Sequence, residues 1–281
     1  MTPTVTPTPT ATAPRTHRLA DLTWPEVAEL REHAPAVIVP LGACEQHGRG
    51  LAQRTDTTRA EVVADLVAEL LNPKVVVAPT IPVGVSGHHM AFPGTLTLSP
   101  LTLRSVIHDL VSSLYQHGWR KVYVLTGHGG NNATVEVAVT LLRNDFSDLH
   151  IAWSGVTAVV SDLSKEFSAS TIAGHSSEIE TAQAMFVDKE LVLTDRLTKG
   201  STELDDLSPA GRLSRSHPGI HFPQDYDTLS PAGNLGDGRQ ATVDIGERLV
   251  RTAAERIAEF IDGMIALPPR AHANPVSPPA R

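Results

Sequence analysis

Residues 36–57 read AVIVPLGACEQHGRGLAQRTDT, an apolar run followed by a polar loop. Its first six residues, 36–41, form an apolar run that ends at a glycine, which is typical of a strand buried in a parallel sheet. The polar loop that follows leads into residues 57–71, where valines and leucines recur at helical spacing. A strand, a loop and a helix in this order predict the first unit of an α/β fold.

The same alternation continues along the chain and predicts a single layered α/β/α domain with a mainly parallel sheet. In such a sheet the functional loops lie beyond the carboxyl ends of the strands. No element is predicted for the irregular region 190–239. Further strands are predicted at residues 74–78, 95–98, 121–126 and 150–153, and further helices at residues 100–117, 131–143 and 240–264.

Composition narrows the class of protein. The 281 residues have a formal net charge of −8 and no basic cluster, which argues against a nucleic-acid partner. No apolar run approaches the roughly 20 residues of a membrane span. The one cysteine, Cys44, excludes an intrachain disulfide and fits a cytoplasmic protein. Residues 1–15 and 268–281 are predicted to be disordered tails around a domain at residues 16–267.

Imidazoles and carboxylates follow three of the predicted strands. Because the carboxyl ends of parallel strands share one edge of the sheet, these side chains are expected to meet there. Neutral imidazoles and carboxylates suit zinc or manganese, and one carboxylate can bridge two ions. The sequence therefore predicts a centre for two divalent cations. The candidate residues are Glu45, His47 and Asp56 after the first strand, His128 and Asn131 after strand 121–126, and His175, Glu178 and Glu180 in the third cluster.

Each of these clusters alone has a simpler interpretation. The sequence GHGG at 127–130 fits a tight turn or a phosphate-binding loop, but it lacks the Lys-Ser/Thr of a P-loop. One of Glu178 and Glu180 is expected to be a solvated acid at a helix start. Cys44 is expected to be a small buried packing residue, and His89 a hydrogen-bonded loop residue.

Together the motifs resemble the creatininase family of amidohydrolases. The sequences LGACEQHG, TDT, GVSGHHMAFPGT and TGHGGN, followed by the spacing from His175 to Glu180, occur in the family's order over residues 36–190. The segment GNLGDGRQATVDIGERL resembles the family's C-terminal portion. The resemblance implies a creatininase-like fold and a homo-oligomer, commonly a hexamer.

The resemblance also implies a set of metal ligands. In creatininase proper a glutamate stands at the position of Gly130, so Glu180 is expected to complete the second site here. The expected cofactors are two divalent ions per chain, zinc, manganese or both. The ligands are then Glu45, Asp56 and His128 for one metal, and His47, Asp56 and Glu180 for the other.

By the same resemblance His175 is the catalytic residue, which passes a proton to the leaving nitrogen. Substrate contacts are expected at Ser86 and His88, and Asn131 is expected to contact substrate or to position the glycine loop. Creatininase proper closes its pocket with tryptophans on the loop before the catalytic histidine. Residues 155–174 contain none, which predicts a substrate other than creatinine.

The expected activity is hydrolysis of a C–N bond in a small amide or formamide, cyclic or linear, by a water activated between the two metals. Two alternatives are a peptidase that acts on a small modified peptide and a non-catalytic binding module on the same scaffold. A third alternative, a phosphate-binding protein that uses the GHGG loop, predicts no dependence on metal.

Overall fold

A four-stranded parallel sheet forms the centre of the fold in the computed structural model, which describes residues 15–217 and 219–270. The strand order is β2-β1-β3-β4. The strands are β1 (Ala36–Leu41), β2 (Val75–Val77), β3 (Lys121–Thr126) and β4 (His150–Gly155). The α-helices of this part of the chain are α1 (Trp24–Arg31), α2 (Thr55–Leu70), α3 (Pro100–Gln116), α4 (Asn132–Asp145), α5 (Ser161–Phe167), α6 (Glu178–Val187), α7 (Pro209–Ser214), α8 (Tyr226–Leu229) and α9 (Val243–Ala266).

Side chains of β1 contribute alternately to two hydrophobic cores, because successive residues of a strand point to opposite faces of the sheet. Val37 and Val39 pack with α3 and α4 on one face. Ala36 and Ile38 pack with α2 and α9 on the other. This arrangement of helix layers on both faces confirms the predicted α/β/α fold class.

The strand order places a crevice between β1 and β3. The chain leaves β1 through α2 to reach β2 on one side, and then crosses the opposite face through α3 to β3 on the other side. Ligands of open α/β sheets bind outside the carboxyl ends of strands at such a change of direction. Leu41 and Thr126, the last residues of β1 and β3, are direct partners at this edge.

Most predicted elements agree with the structure, but the strand predicted at residues 95–98 is wrong. That segment makes one isolated bridge, between Leu96 and Cys44, and no ladder. Its backbone groups pair with loops instead, since the Leu98 amide donates to the Gly84 carbonyl. The next residue, Ser99, accepts a hydrogen bond from the Thr102 amide and caps α3.

The predicted tails lie mostly outside the described residues, and the domain boundaries stay predictions. Within residues 268–270, the Pro268 carbonyl accepts a hydrogen bond from His150, and Arg270 donates one to the Leu149 carbonyl. Among the described residues, no helix combines the length and apolar character that crossing a membrane requires.

Candidate metal centre

The loop after β1 and the start of α2 bring three of the predicted ligands together. The Glu45 amide donates to the Gln53 carbonyl, and this hydrogen bond folds the loop back on itself. Asp56 is the second residue of α2. The ligand atoms of Glu45, His47 and Asp56 lie within 4.8 Å of one another, and all three residues are buried.

His128, His175 and Glu180 complete the cluster from β3 and α6. His128 is the second residue after β3, and its Nδ1 lies 3.2 Å from Glu45 Oε1. His175 precedes α6, and its Nδ1 lies 3.5 Å from the same oxygen. Glu180 lies in the first turn of α6, within 4.8 Å of ligand atoms of His47 and His175.

Asp56 lies between two groups of donors. Its Oδ1 is 3.2 Å from His47 Nε2, and its Oδ2 is 3.3 Å from His128 Nδ1. Each carboxylate oxygen therefore faces a different imidazole, as a ligand shared by two cations requires. On either side of Asp56 lie two sets of donors with no residue in common, each close enough to bind one cation: Glu45, His88 and His128, and His47, His175 and Glu180.

Three imidazoles are held in one tautomer by backbone carbonyls. Nδ1–H of His47 donates to the Glu45 carbonyl at 3.1 Å, and Nε2–H of His128 donates to the Val85 carbonyl at 2.9 Å. Nε2–H of His175 donates to the Gln46 carbonyl at 2.6 Å. In each neutral ring the other nitrogen carries a lone pair that faces the carboxylates. A hydrogen bond from the other ring nitrogen to a backbone carbonyl is characteristic of histidines that bind metals.

The buried carboxylates provide a direct test of whether a cation fits. Both oxygens of Glu45 and Oδ2 of Asp56 accept no hydrogen bond from any described residue. A buried carboxylate without partners is strongly unfavourable, whereas a divalent cation would coordinate these oxygens. The residues present therefore fit a metal centre.

The electrostatics of the cluster lead to the same conclusion. Burial opposes the charged form of His47, yet the carboxylates of Asp56, Glu45 and Glu180 together raise its pKa to about 9. Burial also opposes ionisation of Asp56, but the imidazoles of His47 and His128 keep its pKa well below the usual range. A proton on His47 is therefore stabilised by the same carboxylates that would stabilise a cation.

Arg59 supplies a fixed positive charge beside the cluster. Its side chain is 0% exposed, and Nη1 lies 3.1 Å from Asp56 Oδ1 and 3.0 Å from Glu180 Oε1. The guanidinium also donates to Gln183 and Thr157. The three carboxylates outnumber this one fixed positive charge by two, and protonated imidazoles or bound cations would compensate the difference.

His175 is buried and neutral. Burial lowers its pKa well below the usual value, and the neighbouring charge of His47 lowers it further. Because Nε2–H is donated to a backbone carbonyl, Nδ1 is the atom that can accept a proton. The catalytic role of this residue stays a prediction.

The predicted substrate-binding residues separate into two groups. His88 lines the cleft beside the cluster, and its ring stacks on that of His128 at 5.7 Å. Ser86 and Asn131 are fully buried and lie outside the cleft lining of the described residues. Asn131 accepts a hydrogen bond from the Val85 amide and donates to the Gly42 carbonyl. These bonds position the loops behind the ligands, while the substrate contacts stay predictions.

The structure changes two of the simpler interpretations of the sequence, those of Glu178 and Cys44. Glu178 is not solvated, because its side chain is buried and accepts hydrogen bonds from the amides of Ala169, Ser170 and Asp237. Cys44 is half-buried against Gln53, and among the described residues it belongs to none of the groups that could bind a cation.

The position of Gly130 explains why a glutamate cannot complete the second site there. A Cβ at this residue would overlap the Val85 carbonyl and the ring of His128. A glutamate would require these groups to move. Glu180 reaches the cluster from α6 instead, and the Ser176 amide donates to its Oε2 at 2.7 Å.

Sequence reasoning missed four residues of the site. Arg59 lies four residues before Val63 on the buried face of α2, and a charged residue on an apolar stripe was the available signal. Tyr226 stacks on His89 with ring centroids 4.2 Å apart. The hydroxyl of Ser176 donates to the His47 carbonyl, and Gln46 bonds His89. The contacts of Tyr226, Ser176 and Gln46 join segments that are far apart in the chain, so no local sequence pattern indicates them.

A cleft of about 1080 Å³ opens beside the cluster. Asp56, His128, His175 and Glu180 lie in its wall. The rest of the lining comes from the segment before α6 and the segment that leads into α8, including Lys165, Ser168, Ser170, Thr171, Pro223, Gln224 and Tyr226.

The fold and these motifs agree with known proteins. The model of the creatininase family, described as creatinine amidohydrolase, matches residues 20–261. A mycofactocin precursor peptide peptidase of Mycolicibacterium smegmatis is 35% identical over 241 residues, which is 83% of this chain and 88% of the relative. Creatinine amidohydrolase of Pseudomonas putida is 27% identical over 260 residues, which is 86% of this chain and 95% of that enzyme.

A solved structure extends the likeness to three dimensions. A Bacteroides fragilis protein named after creatinine amidohydrolase superposes with a TM-score of 0.78 at 26% identity. The match covers 89% of this chain and 97% of that protein. Because the family match spans most of the chain and the superposition spans nearly the whole fold, this chain belongs to the creatininase family of hydrolases.

Proposed function

We propose that this protein is a metal-dependent hydrolase that cleaves a C–N bond of a small peptide. The observation that carries the proposal is the group of buried carboxylate oxygens, on Glu45 and Asp56, that accept no hydrogen bond from any described residue and lie beside a large cleft. The relative of 35% identity is named as a peptide peptidase, which favours a peptide over the small amide expected from the sequence.

Six side chains would bind two divalent cations and act on the substrate. The cations would polarise a carbonyl and lower the pKa of a water molecule. Zinc and manganese are the preferred candidates because imidazole and carboxylate donors suit both. The proposed ligands are Glu45, His47, Asp56, His128 and Glu180, with His175 beside them.

In this proposal His175 acts as the proton carrier. Its Nε2 proton is fixed by the Gln46 carbonyl, so Nδ1 accepts the proton of the attacking water and then delivers it to the departing nitrogen. Burial lowers the pKa of the ring and keeps it neutral, which leaves the lone pair of Nδ1 available. Arg59 keeps the carboxylates of Asp56 and Glu180 in place through its two ion pairs.

The size and lining of the cleft support a peptide substrate. Pockets of about 300–1,000 Å³ bury ligands much larger than a single small ring, and this cleft measures about 1080 Å³. Hydroxyl and amide groups of Ser168, Ser170 and Gln224 line it and could pair with peptide groups. Creatininase proper has tryptophans on the loop that corresponds to residues 155–174. Here Tyr226, which belongs to a different segment, provides an aromatic wall.

Two other functions make different predictions. A cyclic-amide hydrolase would act on creatinine, the compound in the name of the Pseudomonas putida relative, or on a similar ring, and would not cleave peptides. A non-catalytic binding module would bind peptide without turnover. A cytoplasmic location and a homo-oligomer, commonly a hexamer in the resembling family, stay predictions.

The test is an assay of the purified protein after dialysis with zinc or manganese. Short peptides, formamides and creatinine are each incubated with the protein, and the hydrolysis products are quantified by mass spectrometry. We expect peptide cleavage that a chelator abolishes and added metal restores. If creatinine alone is cleaved, the substrate class is a cyclic amide and not a peptide. Turnover that does not depend on metal, or no turnover on any of these substrates, would refute the proposal.

A further inference from the structure

We propose that His89 is a further catalytic residue, a neutral hydrogen-bond donor to the carbonyl oxygen of the substrate. This inference rests on the proposed function for the reaction, but the protonation pattern behind it can be tested separately. His89 is the second histidine of the sequence GVSGHH and lies in the loop between β2 and α3. Its ring is buried and lines the cleft.

The side-chain amide of Gln46 determines which nitrogen of His89 carries the proton. Gln46 Oε1 accepts from the Gly48 amide at 2.8 Å, and Nε2 donates to the Gly233 carbonyl at 2.8 Å. These two backbone partners fix the orientation of the amide, since exchanging O and N would break both hydrogen bonds. Gln46 Nε2 therefore faces His89 Nδ1, 2.8 Å away, as a donor.

Because Nδ1 of His89 accepts this hydrogen bond, the proton of the neutral ring is on Nε2. This is the reverse of the arrangement in His47, His128 and His175, where the N–H group is bound to a backbone carbonyl and the lone pair faces the cluster. When all four rings are neutral, as metal binding by the other three requires, His89 alone therefore presents an N–H group to the centre. A neutral donor of this kind can stabilise an oxygen that gains negative charge.

The position of the ring suits this role. His89 Nε2 lies 3.4 Å from Glu45 Oε1 but has no hydrogen-bond partner among the described residues, because that contact lacks hydrogen-bond geometry. Tyr226 stacks on the ring at 4.2 Å with 17° between the planes and fixes its orientation. A substrate oxygen bound beside Glu45 lies within reach of this N–H group.

The alternative role for His89 is that of a metal ligand with Glu45 and His175, whose ligand atoms are close enough. Ligation through Nε2 requires a lone pair on that atom and hence a proton on Nδ1. Two N–H groups, on Gln46 and His89, would then face each other across 2.8 Å. The hydrogen bonds around Gln46 therefore favour the donor role.

The first test is ¹⁵N NMR of histidine-labelled protein, with and without zinc, to identify the protonated nitrogen of His89. We expect a neutral ring with the proton on Nε2 in both samples. A proton on Nδ1, or an Nε2 signal that moves to a metal-bound position when zinc is added, would overturn the inference. This result does not depend on turnover, so it is informative even if the proposed peptide substrate is wrong.

The second test compares two variants in the activity assay. His89→Phe keeps a ring against Tyr226 and removes the donor, whereas His89→Gln keeps an N–H group at a similar distance from the backbone. We expect His89→Phe to lower kcat by about 10²–10³-fold with its metal content unchanged, and His89→Gln to recover part of the loss. Equal losses in both variants, or loss of metal in His89→Phe, would contradict the donor role.

Discussion

Arg59 Nη1 lies 3.1 Å from Asp56 Oδ1, one turn earlier on the same helix, and both side chains are buried. The same nitrogen lies 3.0 Å from Glu180 Oε1 on α6. One guanidinium therefore connects two proposed ligands from different helices. Each carboxylate keeps its second oxygen for other partners, since Oδ2 of Asp56 faces His128 and Oε2 of Glu180 faces the Ser176 amide.

Replacing this guanidinium should destabilise the protein most when no metal is bound. Arg59→Met leaves Asp56 and Glu180 without their buried partner, and removing one member of a buried ion pair typically costs about 3–5 kcal/mol. Bound cations would neutralise the same carboxylates, so the loss in free energy of unfolding should be smaller after metal is added. Unfolding in guanidinium chloride, with and without zinc, measures the free energy of unfolding in both states.

The exposed pair of Arg256 and Asp162 provides a control for this experiment. Arg256→Met also removes an arginine, but at the surface, where ion pairs contribute little. We expect a small change that does not depend on metal. A metal-independent loss of the same size in Arg59→Met would show that Arg59 supports the fold without any link to the centre.

Gly127 allows the start of α2 to approach the end of β3. A Cβ on Gly127 would overlap the backbone carbonyl of Asp56, whereas a Cβ on Gly129 would meet nothing within 4 Å. Gly127→Ala should therefore displace Asp56, lower the metal content and cost about 1–3 kcal/mol of stability. Gly129→Ala is the matched control and should keep its metal. Equal metal content in the two variants would contradict this account of the loop.

His175 separates metal binding from proton transfer. His175→Ala should retain its metal and lose about 10²–10⁴-fold in kcat, the usual contribution of a general acid–base residue. Metal content by elemental mass spectrometry and turnover are measured on the same sample. If the variant loses its metal, His175 is a ligand, as its nearness to His47 and Glu180 also permits.

Metal binding should release protons near neutral pH. Burial opposes the charged forms of His47 and His128, but the effect of the nearby carboxylates is larger. These carboxylates raise the pKa of His47 to about 9 and the pKa of His128 well above its usual value. Below these values a cation must displace a proton from each ring, so the apparent affinity should rise with pH up to about 9. Calorimetry at pH 7 in buffers of different ionisation enthalpy should show about two protons released per chain. Zinc binding without proton release would contradict the assigned ligands.

Much of the fold could be predicted from local sequence patterns. The runs at residues 36–41 and 121–126 became β1 and β3 with the same bounds, because buried strands are continuous apolar segments. The strand prediction for residues 95–98 was wrong because β-branched residues also suit extended loop backbone. Leu96 pairs with a loop residue rather than with the sheet.

The candidate site was predictable only in part. Glu45, His47, Asp56 and His128 follow strands whose ends must meet, so their proximity follows from the α/β order. The stacking of Tyr226 on His89 depends on how an irregular segment folds back over the crevice. No periodicity in residues 190–239 indicated that course, and only the three-dimensional arrangement reveals it.

In the proposed centre Asp56 would be a ligand of both cations, and the metal content per chain tests this role. The protein is purified without chelator, dialysed with zinc or manganese, and analysed by elemental mass spectrometry beside Asp56→Ala. We predict two divalent ions per chain in the wild type and loss of both, together with all activity, in the variant. A wild type that takes up no metal from either solution, or an Asp56→Ala variant that keeps two ions, would contradict the account.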